Sequence, residues 1–332
     1  MDAIQPLRRL AAGMLACAAL MPLPALAAPD NAARFPDHPI RIIVPFSAGG
    51  VVDSVTRITA ENMARILKQP VIVENKTGAG GAIGADFVAR SPADGYTLLA
   101  VSPSYVVGPL LNPSVQGKGG KDFRAVAGIG AVPNVIVVPA ASPLRTLPEL
   151  LDAARSKSGT LTYASAGVGT SNHLSAELLA QMTHVKLTHV PYKGQPEAMS
   201  DLLGARVSMM ALTSAIARQQ VQSGKLRALA VTSAKRSQTL PDVPTVAEAA
   251  RLPGYEVGAW FGLVAPQGTP DAVVRKLAEA AAQATSDPAT ARRLAELGMD
   301  VAPQSTAAFD RFLDTETKKW TGVLKTAGIT AQ

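Results

Sequence analysis

Three times along this chain a short β-rich run ends in a glycine-bearing loop that leads straight into a helical stretch. Ile40-Arg41-Ile42-Ile43-Val44 runs into Pro45-Phe46-Ser47-Ala48-Gly49-Gly50 and then into an amphipathic stretch from Asp53 to Leu67. Val71-Ile72-Val73 runs into Asn75-Lys76-Thr77-Gly78-Ala79-Gly80-Gly81 and a helical stretch to Ala89. Leu161 to Ala164 runs into Ser165-Ala166-Gly167-Val168-Gly169-Thr170 and a helix from Ser171 to Met182. Thr97–Val101 and Val135–Val138 add further strands. Alternation of this kind implies an α/β fold with a largely parallel sheet covered by helices.

The alternation continues to Val231, and the Pro-rich run Leu240–Pro244 interrupts it. Thr146 and Glu149 are spaced as a capping box that opens a helix. The C-terminal part after the Pro-rich run reads as helical, with Thr269 as N-cap before Pro270, Asp287 as N-cap before Pro288, and a last helix from Phe309 to Leu324. A chain of 332 residues without a low-complexity linker fits two α/β lobes joined by crossing strands. Small ligands bind in the cleft that such lobes leave, at the carboxyl ends of parallel strands.

The first residues read as a secretory signal: Arg8 and Arg9, an uncharged run from Leu10 to Leu20, breaks at Pro22 and Pro24, then Ala25-Leu26-Ala27 as the cleavage site. Cleavage near Ala27 is expected, with delivery to the periplasm. The run is shorter than the roughly 20 apolar residues that span a bilayer. Cys17 is the one cysteine and would leave with the signal, so no thiol chemistry, disulfide or cysteine metal site is expected. The net charge of +7 is scattered rather than gathered in a stripe, which speaks against nucleic-acid binding and for mild steering of an anion.

Chemistry is most legible in the glycine loops. A helix start leaves about four N–H groups without intrahelical partners, and these donors with the helix dipole make an anion site. Each helix end contributes about 0.3–1 kcal/mol, and each direct hydrogen bond to a charged group about 1.5–3 kcal/mol. A carboxylate held this way needs no arginine. The same glycines also serve plain tight turns, most of all in the second loop. Asp53 reads first as a helix cap. His173, one turn into the third helix, is a candidate donor into the cleft. Trp260 with Phe261, and Tyr192 with Lys193, are candidate cleft walls, and Ser102–Leu111 reads as a loop supplying more wall.

No Gly-x-Ser-x-Gly elbow is present, and His173, His184 and His189 do not form a zinc pair. Neither catalytic residues nor a metal or cofactor is expected. Gly78 to Gly84 imitates a dinucleotide loop, which leaves an NAD(P)-dependent oxidoreductase as the alternative class. Gly169→Val is expected to block ligand approach with the fold intact.

Several segments resemble the substrate-binding receptors of tripartite tricarboxylate transporters, also called Bug receptors. PFSAGGVVDSVTR (Pro45–Arg57) and VENKTGAGGAIGADFVARSPADGYTLL (Val73–Leu99) are similar to the family's first two signatures. YASAGVGTSNHLSAELL (Tyr163–Leu179), HVPYKGQPEAMSDLLGARV (His189–Val207), GKLRALAVTSAKRSQTLPDVPTVAEA (Gly224–Ala249) and PGYEVGAWFGLVAPQGTP (Pro253–Pro270) follow in order. The resemblance implies a type 2 periplasmic-binding-protein fold, two α/β lobes around a ligand cleft. Lobe 1 would comprise residues 28–130 and 252–332, and lobe 2 residues 131–251. It implies capture of a small organic acid, or a related aromatic acid or amide, for small and large permease subunits, by a receptor expected to be a monomer. A sensor role toward a signalling partner is the other option within the family.

Carried over by motif, the ligand-binding residues would be Phe46, Ser47, Ala48, Gly49 and Gly50, then Ser165, Ala166, Gly167, Gly169 and Thr170, then Tyr192, Lys193 and Gly194. Asp53, Ser171 and His173 complete the candidate set. Two positions depart from the family. Ala211-Leu212 stand where many members have Phe-Asp, which argues against an amino-acid ligand, and Thr77 replaces a usual proline.

Overall fold

Strand β1 (Ile40–Val44) lies between β2 (Val71–Asn75) and β3 (Thr97–Val101), parallel to both. The same arrangement recurs with β5 (Thr162–Ser165) between β6 (Thr188–Pro191) and β7 (Met209–Thr213). These are the two parallel groups that the strand–helix alternation foretells. Residues 34–111, 122–237 and 240–327 are described in the computed structural model. The expected signal peptide, its cleavage point and Cys17 lie outside the described residues. From Pro36 onward the described chain forms one compact unit.

The two groups are joined by antiparallel strands. β4 (Phe123–Pro139) is 17 residues long, roughly 55 Å at the usual rise. Its first part pairs with β9 (Gly258–Pro266), which also pairs with β3. Its last part pairs with β7 and with β8 (Leu226–Val231). A largely parallel sheet therefore holds within each group and fails between them. Only Val135–Val138 of β4 reads as strand in the sequence, because Gly128, Gly130 and Pro133 look like breakers. Gly130 instead lets a neighbour in: at φ +159 a Cβ there would sit 2.4 Å from the Asp300 carbonyl of β10 (Asp300–Gln304). β9 and β10 correct the expectation of an all-helical C-terminal part.

Eleven α-helices cover the sheets among the described residues: α1 (Val51–Leu67), α2 (Ala82–Ala89), α3 (Pro103–Leu111), α4 (Leu147–Ser156), α5 (Ser171–Thr183), α6 (Gln195–Leu203), α7 (Ser214–Gln222), α8 (Val246–Ala250), α9 (Asp271–Ser286), α10 (Pro288–Glu296) and α11 (Thr306–Ala327). Residues 103–111 are thus a helix, not the loop expected. Thr146 caps α4 by accepting from the Glu149 N–H, and Asp287 caps α10, as expected. The α9 cap falls on Pro270, one residue later than expected. Asn62 of α1 donates to the Ala284 carbonyl and to Thr290 Oγ1, which fixes α1 against α9 and α10.

Helix α11 ties two apolar clusters together. Phe309 and Leu313 pack with Val101, Phe123 and Trp260, while Trp320 and Leu324 pack with Tyr163, Leu174 and Leu150. Between them Glu316 accepts hydrogen bonds from both tryptophans, Trp260 Nε1 and Trp320 Nε1, each at 3.0 Å. Trp320 is 2% exposed, and truncating a buried tryptophan costs about 3–5 kcal/mol. Trp320→Ala is expected to lower stability by about that amount in urea unfolding. A loss below about 1 kcal/mol would show that α11 does not bind the two clusters together.

Candidate functional site

Four helices begin at the wall of one hollow. It is lined by Phe46, Ser47, Gly50, Val51 and Val52 around the start of α1, and by Ser102 and Pro103 at the start of α3. Ala166, Thr170, Ser171 and Asn172 line it at the start of α5, and Gly194 and Gln195 at the start of α6. Ala259 and Phe261 of β9 complete it. Its empty space is about 400 Å³ including the part open to solvent, but only about 30 Å³ can hold the centre of a water molecule. The walls therefore stand close together. No charged side chain is among the lining residues.

The donors come from backbone. Gly50 is the N-cap of α1 and Gly194 that of α6, and neither has a side chain to cover the first amides. Thr170 caps α5, yet its hydroxyl donates to the Gly167 carbonyl at 2.7 Å instead of accepting from a helix amide. The N–H groups of Val51, Val52, Ser171 and Asn172 are thus left to the hollow, together with the positive ends of the dipoles.

Asp53 is the third residue of α1 rather than its cap. Its carboxylate is buried and reaches back to accept from the Gly49 N–H, Arg57 Nε and Asn75 Nδ2. Asn75 Nδ2 also donates to the Phe46 carbonyl, so Asp53, Arg57 and Asn75 lock the first loop from behind. Burial alone would raise the Asp53 pKa, but the hydrogen bonds from Arg57, Gly49 and Asn75 outweigh it and hold the carboxyl below its usual range.

Beneath the third loop lies a second support. Ser165 Oγ accepts the Gly167 N–H at 3.0 Å and pairs with His189 Nε2 at 2.6 Å. His173 does not reach the hollow; its Nδ1 accepts the Gly169 N–H at 3.2 Å. That contact assigns the ring proton to Nε2, which faces Glu177 at 3.9 Å. The two imidazoles stack with centroids 4.4 Å apart, and Tyr163 stacks on His189 and donates its hydroxyl to Glu177. Burial pushes His173 down to about 3, with the His189 charge adding to the effect, and His189 down to about 4.

Of the sixteen candidate residues, Phe46, Ser47, Gly50, Ala166, Thr170, Ser171 and Gly194 line the hollow. Ala48, Gly49 and Lys193 are exposed beside it. Ser165, Gly167 and Gly169 lie one layer behind with Asp53 and His173. Tyr192 turns away and donates to Asp201 at 2.5 Å. Val51, Val52, Asn172, Gln195 and Ala259 were missed, while Ser102 and Pro103 fall in the stretch expected to supply wall. Ser102-Pro103 repeats the strand-to-helix device without a glycine; a proline at a helix's first position was its available signal. Along β9, alternation puts Ala259 and Phe261 on the hollow and turns Trp260 to the core, so of the three aromatic wall candidates Phe261 lines it and Trp260 and Tyr192 do not.

The second loop does not line the hollow. A Cβ on Gly80 would meet the Val168 carbonyl at 2.7 Å, and Gly81 packs on Pro45 and Phe46. The space a dinucleotide would need is filled by the first and third loops. Gly169 has φ +79 and packs on Gly108 and Ser104, so Gly169→Val strains the backbone as well as the site, contrary to the expectation of an intact fold. A larger hollow of about 1200 Å³, open to solvent, lies where the chain passes between the sheets, lined by residues that include Pro133, Lys235, Arg236 and Gly258; it contains none of the candidate residues.

This arrangement, two α/β lobes with helix starts around a hollow, is that of a periplasmic solute-binding protein. The chain belongs to the tripartite tricarboxylate transporter receptors: the model described as "Tripartite tricarboxylate transporter family receptor" matches residues 55–329. The periplasmic binding protein BugD is 36% identical, with a TM-score of 0.84 over 90% of this chain and 100% of that one. R. palustris Rpa4515, solved with adipate, is 33% identical with a TM-score of 0.85 over 90% of this chain and 100% of its own. MatC from Rhodopseudomonas palustris, solved with malate, is 32% identical with a TM-score of 0.83 over 87% of this chain and 100% of its own. The family is one of binding receptors, and the oxidoreductase alternative falls with that finding.

Two outcomes are expected. Both histidines are neutral bases whose folded pKa lies below the ordinary 6.5, so the unfolded chain binds more protons between about 4 and 6.5. Stability present above pH 6.5 should fall as the pH drops toward 4, and the slope in urea midpoints should flatten in the double variant His173→Gln, His189→Gln. Gly194 has extended backbone that any residue adopts, but a Cβ there would lie 2.8 Å from Ser47 Cβ. Gly194→Ala should therefore keep its melting temperature within a few degrees and yet fail to bring the two loops together, read as an expanded particle in small-angle scattering.

Proposed function

We propose that this chain is an exported receptor, cleaved near Ala27, that captures a small organic carboxylate in the hollow and presents it to small and large membrane subunits. The observation that carries the reading is the convergence of uncapped helix starts on a hollow with no charged side chain. Such a site binds an anion without a salt bridge. The malate and adipate held by two structural neighbours are ligands of that chemistry. Backbone amides would hold the carboxylate, with Phe46 and Phe261 against its carbon chain.

The narrowness of the hollow supports a closing motion. Residues 28–130 and 252–332 would form one lobe and 131–251 the other, parting about β4 to admit a ligand the size of malate. The monomer is the proposed working unit. Asn172 Nδ2 donates to the Ala211 carbonyl, and Leu212 is buried in the core, so neither position supplies a carboxylate for a ligand ammonium. Acids without an amino group are the better candidates.

Thermal unfolding in the presence of di- and tricarboxylates, aromatic acids and amides tests the reading. A ligand present at roughly 100 times its dissociation constant should add about 2.7 kcal/mol of stability. Silence from every acid, malate and adipate included, would sink the proposal.

A further inference from the structure

We propose that the hollow selects carboxylates that also carry a hydrogen-bond donor, such as a hydroxyl, and that Glu197 sets this preference from outside the hollow through Ser47. The inference rests on the receptor reading above and concerns which acids the receptor takes.

A hydroxyl has one proton to give and two lone pairs. Ser47 Oγ stands 2.6 Å from Glu197 Oε1, and a carboxylate oxygen has no proton to offer. Ser47 must therefore spend its proton on Glu197. Thr170 Oγ1 stands 2.7 Å from the Gly167 carbonyl, which cannot donate either. Ser171 Oγ makes a longer contact of the same sense, 3.4 Å to Asn134 Oδ1. All three residues line the hollow. Facing inward, Ser47 and Thr170 present lone pairs only.

The polar wall is thus divided. Helix-start amides give protons and suit a carboxylate. The two hydroxyls accept protons and would repel a carboxylate oxygen, but would hold a hydroxyl or an N–H. An acid with no donor leaves those acceptors unmatched, and a site built to bond a ligand hydroxyl rejects the analogue lacking it more strongly than it rejects a missing methylene. Glu197 does not line the hollow. It is the third residue of α6, and the approach that brings it to Ser47 requires Gly194, where a Cβ would lie 3.0 Å from Glu197 Oε2 and 2.9 Å from Ser47 Oγ. Glu197 is therefore a positioning residue that acts by fixing which way the Ser47 proton points.

Calorimetric titration of the mature protein with matched pairs tests this: malate against succinate, and 2-hydroxyglutarate against glutarate. The hydroxylated member should bind about tenfold or more tightly. Glu197→Ala frees the Ser47 proton to turn inward, so the ratio should shrink, mainly because succinate or glutarate tightens. Glu197→Gln keeps an accepting oxygen and should retain most of the preference. Ser47→Ala should weaken the hydroxylated acid and spare its partner. Equal affinities within the pairs for the wild type would overturn the proposal alone. Equal weakening of both members by Glu197→Ala would reduce Glu197 to a structural role and overturn its part. Silence from all four acids, in a protein that is folded by circular dichroism, would overturn the receptor reading for such acids and this inference with it.

Discussion

Backbone amides that no side chain covers are the feature around which the rest of the molecule is arranged. An N–H group left without a partner in a closed space is costly, comparable to a lost hydrogen bond. Here such groups are gathered at the starts of α1, α5 and α6, and the residues that cap those helices are Gly50, Thr170 and Gly194. Two have no side chain, and the third gives its proton elsewhere. On the proposed reading the cost would fall away when an anion arrives, and the geometry of the loops would store a preference for such a ligand. An anion site of this kind would do without lysine or arginine, neither of which is among the lining residues.

Holding those loops in place takes polar side chains that do not line the hollow. Asp53, Arg57 and Asn75 secure the first loop by its Gly49 amide and Phe46 carbonyl. Ser165, His173 and His189 secure the third by its Gly167 and Gly169 amides. Each support takes up loop N–H groups that would otherwise compete for the ligand or for water. The second loop supports both others through close backbone contact, which is why Gly80 rests against the Val168 carbonyl. The glycines of this family signature thus divide into those that open a helix toward the hollow and those that let two loops touch.

The parallel groups, most helices and the three loops were legible because each depends on local pattern: alternation, capping residues and glycine. The joining strands were not. β4 carries Gly128, Gly130 and Pro133, and its extended form is imposed by β9 and β10 across the sheet rather than by its own propensities. The site was legible to the extent that it follows a strand end. Phe46, Ser47, Ala166 and Thr170 sit where the pattern placed them, while Gln195 and Asn172 enter the wall through tertiary contacts. Gln195 accepts from Thr213 and donates to Asn172, two bonds that join the starts of α5 and α6 to the end of β7 and leave no mark in any one segment. His173 was misplaced because sequence gives a residue's turn of helix but not which of its neighbours will need an acceptor.

Proton direction adds a level of organisation that neither composition nor shape conveys. Ser47 and Thr170 are the same chemical group on opposite loops, and both are polarised the same way by partners that can only accept. One partner is a carbonyl of the site's own loop, fixed by the backbone. The other is Glu197, a side chain on the facing helix, which meets Ser47 only when the loops stand together. On the proposed closing motion, closing the gap between the loops and orienting the Ser47 hydroxyl would be one event, and the polarity of the wall would be complete only in the closed form. A receptor working as proposed would read the charge of its guest through fixed helix ends and the guest's hydroxyl through a contact made at closure.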